Sequence, residues 1–355
     1  MSPSFVPGSV DVAPEVLAAQ ARPILPFRSS EFENFFRATA EKAQPLFGGG
    51  GRVFQGSFSG TGMQEASIRN FVSSAVLICV NGASSERWYD IAIANGKSAD
   101  RLDADWGQPI LPGELTTALA QRQYDAVAIV HNETSTGVEN PLPELAAAVR
   151  TASPDTLILV DAVSSFGGVR LEMDPWGIDF LFAASQHCLA LPPGLSLAAA
   201  SDRAMQRAEA VPDRGWYFDL VRMERHRLKD SLPSTPAMPL LYALDAQLDR
   251  MMAEGFEARY ERHAALSARV REWAAGHNLP TLAPEPYTSK TSTVLRNADN
   301  WDMTDLNKFL LQRGMRIANG YGRLRETTFR IATMGELQPA DVENLLRALD
   351  AWAEK

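Results

Sequence analysis

The chain has 355 residues, 45% of them hydrophobic, so it is long enough to bury a large core and to form two domains. Its net charge of −9 and pI near 5.2 disfavour nucleic acid and anionic membranes as partners. Cys79 and Cys188 give neither a metal-ligand spacing nor a disulfide framework. The N-terminus lacks a secretory-signal pattern, and no run of about 18 apolar residues could cross a bilayer. We therefore expect a soluble, cytoplasmic protein.

Most of the chain alternates between short apolar runs and helical stretches. The apolar runs predict strands at Val76–Val80, Ala126–Val130, Thr156–Val160, Phe180–Ala184 and Ser196–Ala200, with helices at Glu86–Ala94 and Leu142–Arg150. Uninterrupted apolar runs are typical of strands that are buried on both faces of a parallel sheet. Their alternation with helices predicts right-handed βαβ units and a doubly wound sheet, so the fold class is α/β.

The pattern changes after Thr235. The chain is helical in pattern from there to His277, and Gly255 is the only plausible break. A smaller α+β unit follows, with predicted elements at Thr291–Leu295, Thr304–Arg313, Thr328–Ile331 and Pro339–Lys355. We predict an N-terminal arm over residues 1–20, a large domain over residues 21–254 and a small domain over residues 255–355.

Three candidate binding motifs follow predicted strands or turns, where open α/β sheets bind their ligands. Residues 59–65 read Ser-Gly-Thr-Gly-Met-Gln-Glu and start a helix whose free N–H groups suit a phosphate, although an ordinary N-capped helix has the same pattern. Asp161 ends a strand and could keep a pyridine nitrogen protonated, or could be a simple helix cap. The loop His131–Gly137 alone indicates a hydroxyl-rich turn.

Residues 178–196 read IDFLFAASQHCLALPPGLS, an apolar run that ends in Ala-Ser-Gln before a Pro-Pro-Gly turn. With Asp161–Ser165, Arg214–Asp219 and Tyr242–Asp249, this segment resembles class V pyridoxal-phosphate (PLP) aminotransferases, such as the alanine–glyoxylate and serine–pyruvate enzymes. The resemblance runs from Pro7 to Arg330. It implies the fold-type I architecture, with a large doubly wound, mostly parallel domain, a small C-terminal α+β domain, and a homodimer with shared active sites.

The resemblance also implies roles for individual residues. Cofactor contacts are implied for Thr61, Gly62, Met63, Thr134, Asp161, Val163, Gln186 and Thr235, the last reaching across from the partner subunit. Substrate contacts are implied for Gly8, Ser165 and Arg330. The planar fork of Arg330 suits a substrate α-carboxylate, although a salt bridge at the strand edge would also explain an arginine there. Asp161 and His187 are the candidate catalytic residues, and no metal is implied.

Two positions depart from the family pattern in the residues that would touch the cofactor. His187 occupies the position of the Schiff-base lysine, and an imidazole cannot hold an aldehyde covalently, so PLP or pyridoxamine phosphate would be bound non-covalently. Ser84 stands where the family has an aromatic ring that stacks on the cofactor, a contact worth about 1 kcal/mol. Ser9, after Gly8, replaces a common proline. Because Ser84 has changed as well, we interpret His187 as natural divergence rather than a laboratory replacement. Lys290 is the only lysine that the sequence places near the cleft.

Three functions are compatible with these residues. The first is amino-group transfer between a small amino acid of the alanine or serine type and an α-keto acid of the glyoxylate or pyruvate type. The second is a pyridoxamine-phosphate enzyme in which His187 acts as the base of a non-transaminating step such as dehydration, since its unperturbed pKa is about 6.5. The third is a non-catalytic homologue that only binds a ligand.

Overall fold

The computed structural model describes residues 3–49 and 51–354. Its strands are β1 (Ser4–Phe5), β2 (Arg52–Gly56), β3 (Ala75–Val80), β4 (Ser98–Asp103), β5 (Ala126–Val130), β6 (Asn132–Glu133), β7 (Val138–Glu139), β8 (Leu157–Asp161), β9 (Phe180–Ala184), β10 (Ser196–Ala200), β11 (Ser292–Arg296), β12 (Arg316–Asn319) and β13 (Thr328–Ala332). Its α-helices are α1 (Pro14–Ala19), α2 (Ser30–Ala43), α3 (Gly60–Phe71), α4 (Ala83–Ala94), α5 (Pro112–Leu119), α6 (Leu142–Ala152), α7 (Asp202–Ala210), α8 (Leu220–Arg227), α9 (Met238–Glu254), α10 (Phe256–Gly276), α11 (Met303–Leu311) and α12 (Pro339–Ala353). The predicted end of the last helix, Lys355, lies outside the described residues.

Seven strands form the large sheet in the order β2-β10-β9-β8-β5-β3-β4. The strands from β9 to β4 pair in parallel, as the sequence predicts. In contrast, β10 is antiparallel to both β9 and β2. The expectation that Ser196–Ala200 continues the βαβ pattern is therefore wrong. Residues 185–195 contain no helix, and a connection this short returns the chain antiparallel rather than crossing over the sheet.

Helices cover both faces of the large sheet. Successive side chains of a strand point to opposite faces, and β3 illustrates this: Leu77 and Cys79 join one core, while Val76, Ile78 and Val80 join the other. The first core includes buried side chains of α2, α5, α6 and α9, and the second those of α3, α4, α7 and α8. The doubly wound α/β fold is thereby confirmed, and the carboxyl ends of its parallel strands meet at one edge.

The break at Gly255 is confirmed as well. α9 ends at Glu254 and α10 begins at Phe256, with Gly255 between them at a φ of +84°, a conformation that favours glycine. From α10 onward the chain builds a third core around a four-stranded sheet of order β1-β12-β13-β11.

The N-terminal segment belongs partly to this smaller sheet. β1 pairs in parallel with β12, and Phe5 is fully buried in the core of the small unit. Val16, on α1, is instead buried against the large sheet. The arm predicted over residues 1–20 therefore contacts both units of its own chain, although its first two residues lie outside the described ranges. Across those ranges, no helix has the length and apolar character needed to span a membrane.

Candidate active site

A cleft opens at the carboxyl edge of the large sheet. The ends of β3, β5, β8 and β9 and the first turns of α3 and α4 surround about 780 Å³ of empty space, part of it open to solvent. We call this space the cleft. The predicted site residues that line it are Thr61, Thr134, Asp161, Val163, Gln186, His187 and Arg330. The lining also includes Gln64, Ser84, Arg87, Asn132, Ser164 and Tyr321.

One end of the cleft is formed by the start of α3. Ser59 caps the helix, and its hydroxyl accepts the N–H of Gly62 at 3.1 Å. The other N–H groups of the first turn have no intrahelical acceptor, and together with the positive helix end they suit an anion. A side chain at Gly60 would lie 2.8 Å from Val163, so glycine is required for the close approach of this turn to the strand end. The predicted phosphate-binding turn therefore has the required shape.

Asp161, at the end of β8, is almost completely buried. Its two carboxylate oxygens accept the backbone N–H of Val163 and the side-chain amide of Gln64, each at 2.9 Å. Burial raises the pKa of Asp161 to about 7 despite these bonds. A cation beside the carboxylate would restore its charged form, which is the behaviour expected of a partner for a protonated ring nitrogen.

Two buried oxygens in the cleft wall have no hydrogen-bond partner among the described residues. They are the side-chain carbonyl oxygens of Gln64 and Asn132. The amide nitrogen of each is occupied: that of Gln64 binds Asp161 and the Ser84 carbonyl, and that of Asn132 binds Thr291 and the Ser164 carbonyl. Because an unpaired buried acceptor is costly, these atoms indicate a polar ligand or water in the cleft.

His187 lies at the end of a short chain of polar side chains. The hydroxyl of Ser164 is hydrogen-bonded to Nδ1 of His187 at 3.1 Å and, on its other side, to the hydroxyl of Thr134. Burial, with a smaller contribution from Arg330, lowers the pKa of His187 to about 4, so the imidazole is neutral at pH 7. Nε2 packs against Gly8, where an added Cβ would lie only 2.5 Å away. Gly8 therefore positions the histidine rather than lining the cleft.

Arg330, on β13, forms the opposite wall. Its Nε donates to the carbonyl oxygen of Asn319 at 3.0 Å, and its Cζ lies 5.5 Å from the ring centroid of Tyr321. Burial lowers the pKa of this guanidinium, and within residues 3–49 and 51–354 it has no carboxylate in ion-pair distance. The salt-bridge interpretation thus has no support here, and the two terminal nitrogens remain available to a carboxylate.

Besides Gly8, four predicted residues do not line the cleft. Met63 is buried in the core behind α3. Gly62 contributes only its capped N–H, and Thr235 is exposed outside the cleft of its own chain. Ser165 is fully buried and faces away from the cleft, with its hydroxyl 2.9 Å from Nδ1 of His131. The structure thus brings Ser164, rather than its neighbour, to the ligand side.

His131 and Lys290 line a second cavity, on the other side of Asp161–Ser165 from the cleft, with about 1190 Å³ of empty space. Lys290 is paired there with Glu139 at 2.6 Å. The sequence expectation that Lys290 lies near the cleft is therefore wrong, because its backbone and its amine both bind Glu139 on β7 and its side chain lines the second cavity. None of the described residues that line the cleft is a lysine.

The comparisons with known proteins agree with this geometry. A family model described as aminotransferase class V matches residues 73–329. The chain belongs to the class V aminotransferase family. It is 32% identical over 353 residues to a Synechococcus sp. protein named soluble hydrogenase, small subunit. That match covers 98% of this chain and 91% of the other protein. It is 31% identical to the serine–glyoxylate aminotransferase of Methylorubrum extorquens, covering 94% and 86% of the two chains. The solved alanine–glyoxylate aminotransferase of Nostoc sp. superposes with a TM-score of 0.92 at 27% identity, covering 99% and 95%.

Membership of this family indicates pyridoxal or pyridoxamine phosphate as the cofactor. The start of α3 suits the phosphate, and Asp161 suits the ring nitrogen. The residues therefore fit the group as a non-covalent ligand.

Sequence reasoning missed several of these lining residues, although signals were present. Gln64 lies one helical turn after Thr61 in the glycine-rich motif, and Arg87 lies one turn after Ser84. Asn132 stands inside the loop that was singled out for Thr134. No pattern in the sequence pointed to Tyr321.

Proposed function

We propose that this chain holds pyridoxal or pyridoxamine phosphate without a covalent bond and transfers an amino group between a small amino acid and an α-keto acid. The amino acid is of the alanine or serine type, and the keto acid of the glyoxylate or pyruvate type. The observation that carries the proposal is Arg330, an unpaired guanidinium in the same cleft as a buried carboxylate and a helix start. Relatives named after serine, alanine and glyoxylate support this substrate class.

The bound cofactor would supply an electron sink and a carrier for the amino group. Asp161 keeps the ring nitrogen protonated, and Gln64 holds Asp161 in place through its amide. Arg330 orients the substrate by a bidentate contact to its α-carboxylate. Val163 and Gln186 limit the space around the bound group from the strand ends.

We propose that His187 carries the proton that the family's lysine would otherwise move. Its neutral imidazole can accept a proton at pH 7, and anionic groups bound nearby would raise its low pKa toward the working range. Nε2 packs against Gly8, so the proton would pass between Nδ1 and the cleft through the hydroxyl of Ser164, which lines the cleft. Because the ring cannot anchor the cofactor, affinity rests on the helix start, Asp161 and the side chains that line the cleft.

We also propose a cytoplasmic homodimer with residues 1–20, 21–254 and 255–355 as arm, large domain and small domain. Trp216 and Tyr217 are about half exposed, as expected of side chains that a second subunit would cover. Thr235 is exposed as well and would reach the partner's cofactor phosphate. Both cysteines are free, which suits a reducing compartment. A monomeric mass in sedimentation at micromolar concentration, with native circular dichroism, would contradict the dimer.

A single-turnover experiment tests the proposed chemistry. The purified chain is loaded with pyridoxamine phosphate and mixed with glyoxylate or pyruvate. We expect glycine or alanine, by mass spectrometry, in an amount equal to the cofactor that is converted to its aldehyde. His187→Ala should slow this step by about 10²-fold or more, because general base catalysis contributes that much.

Free pyridoxamine phosphate and the Arg330→Gln variant are the controls. Arg330→Gln should raise the keto-acid concentration needed by roughly tenfold or more, since a hydrogen bond to a charged group contributes about 1.5–3 kcal/mol. Cofactor that stays bound, with no amino acid formed above the protein-free rate, would refute amino-group transfer and leave a binding protein.

A further inference from the structure

The cleft contains two arginines, and the proposed function uses only Arg330. Arg87 lines the same cleft from α4, is exposed, and forms neither an ion pair nor a hydrogen bond within the described part of the chain. Its neighbour Glu86 pairs with Arg101 instead. Exposed arginines are commonly solvated, but this guanidinium lines a ligand cleft, and its charge reaches Asp161: burial raises the pKa of that carboxyl, and Arg87 lowers it as the last of several causes. A cation in that position suits an anionic ligand.

The charge of the cleft favours an anion strongly. Asp161 is the only acidic residue in its described lining, and it is engaged by Gln64 and reserved for the ring nitrogen. Glu133, the next carboxylate, is fully buried behind the lining, where it accepts the N–H groups of Ser84 and Ser85. The cleft is thus a cationic pocket in a chain of net charge −9, and its low-dielectric walls concentrate that field.

Ser84 explains how Arg87 reaches the cleft. The two residues lie three positions apart on α4, hence on one helix face, and both line the cleft. A long helical side chain covers the turn before its own position, so Arg87 extends over Ser84. An aromatic side chain at that position would occupy the space between the guanidinium and the cleft.

We propose that Arg87 binds the second carboxylate of a dicarboxylic amino acid or oxo acid whose first carboxylate is held by Arg330. A dicarboxylic amino acid or oxo acid would then replace one of the two small partners of the proposed amino-group exchange. That the ligand is an amino acid or an oxo acid rests on the proposed function. The two-carboxylate site itself rests on Arg87, Arg330 and the near absence of acidic groups around them. The small amino acid or keto acid is then the other partner.

The test is calorimetric titration of the full-length chain with succinate and with propionate, in the presence and absence of pyridoxal phosphate. Succinate carries two carboxylates and cannot react, and propionate carries one. We expect succinate to bind roughly tenfold more tightly or better, and Arg87→Gln to remove this preference. Arg330→Gln should weaken both ligands. Arg296→Gln, which removes an exposed arginine outside the cleft, should change neither.

Three outcomes would overturn the proposal: equal affinities for the two acids in the native chain, a preference that survives Arg87→Gln, or a loss of cofactor affinity in that variant in place of the loss of preference. The last result would assign Arg87 to the cofactor. Failure of the proposed function would be seen separately, in the single-turnover experiment. A chain that transfers no amino group but still prefers succinate through Arg87 would refute amino-group transfer and keep the two-carboxylate site.

Discussion

Two buried histidines lie on opposite sides of Asp161–Ser165, and each is hydrogen-bonded to one of its two serines. His187 is bonded to Ser164 and lines the cleft, whereas His131 is bonded to Ser165 and lines the second cavity. Burial lowers the pKa of both rings. Their local chemistry is thus nearly the same. What differs is the side of Asp161–Ser165 on which each ring lies, and only His187 lies on the side of the cleft.

The largest expected difference between the two histidine positions is whether a lysine placed there attaches the cofactor covalently. His187→Lys places a primary amine in the cleft beside the helix start and Asp161, so we expect PLP to become linked to residue 187. His131→Lys directs its amine to the second cavity and should give no such link. Mass spectrometry after borohydride reduction measures the adduct. An adduct on any lysine of the unaltered chain would contradict non-covalent binding.

Replacement of the two histidines should also lower stability by different amounts, and here the larger effect is expected at His131. His131→Ala leaves the fully buried Ser165 hydroxyl with only a weak bond to Ala162, so we expect a loss of about 1–3 kcal/mol in the free energy of unfolding. His187→Ala should cost about 1 kcal/mol or less, because Ser164 keeps its bond to Thr134. Urea denaturation of the cofactor-free proteins compares them, and equal losses would remove the distinction.

The pH dependence of stability reports on His187 directly. Its pKa is about 4 in the folded chain against an ordinary value of 6.5, so between these values the unfolded state binds more protons and stability falls as pH is lowered. From pH 6.5 to 5, the unaltered chain should lose about 1–2 kcal/mol more than His187→Gln. Asp161, with its pKa raised to about 7, has the opposite sign but is present in both proteins. A difference that does not change with pH would refute a neutral buried His187.

The smallest expected effect concerns the tautomers of the two rings. Ser164→Ala removes the bond to Nδ1 of His187 and should change its tautomer ratio roughly threefold to tenfold, since such a bond contributes about 0.5–1.5 kcal/mol. Ser165→Ala should act on His131 alone. Nitrogen NMR of histidine-labelled protein resolves the two rings. If either variant changed the tautomer ratio of both rings, the two histidines would be coupled through Asp161–Ser165 and the comparison would fail.

The sequence predicted the fold best where strands are buried on both faces. Ala126–Val130, Phe180–Ala184 and Ser196–Ala200 have the predicted bounds, because every side chain in them is buried and apolarity alone marks them. Ser98–Asp103 was missed, since this edge strand of the large sheet is partly exposed and largely polar. The direction of β10 was missed because an apolar run carries no information on whether its partner runs parallel.

For the site, the sequence located the loops but not the direction of each side chain. Asp161 and Gln186 line the cleft as expected, because each follows a buried strand of known polarity. Ser165 could not be distinguished from Ser164, since the chain turns after β8 and only the backbone path shows which hydroxyl faces the ligand. Arg87 could be recognised only with the helix face of α4 in place.

The pairing of β1 with β12 sets an order of events during synthesis. Phe5 leaves the ribosome first, but its partner Ile317 follows 312 residues later in the chain (317 − 5), which takes roughly 15 to 60 seconds at ordinary rates. Until then the segment after β1, which places Gly8 against His187 and Val10 against Gln186, is held only by its contacts with the large domain. Tyr321 and Arg330, which line the cleft, also follow β12 in the chain, so the cleft stays incomplete until β13 has been made.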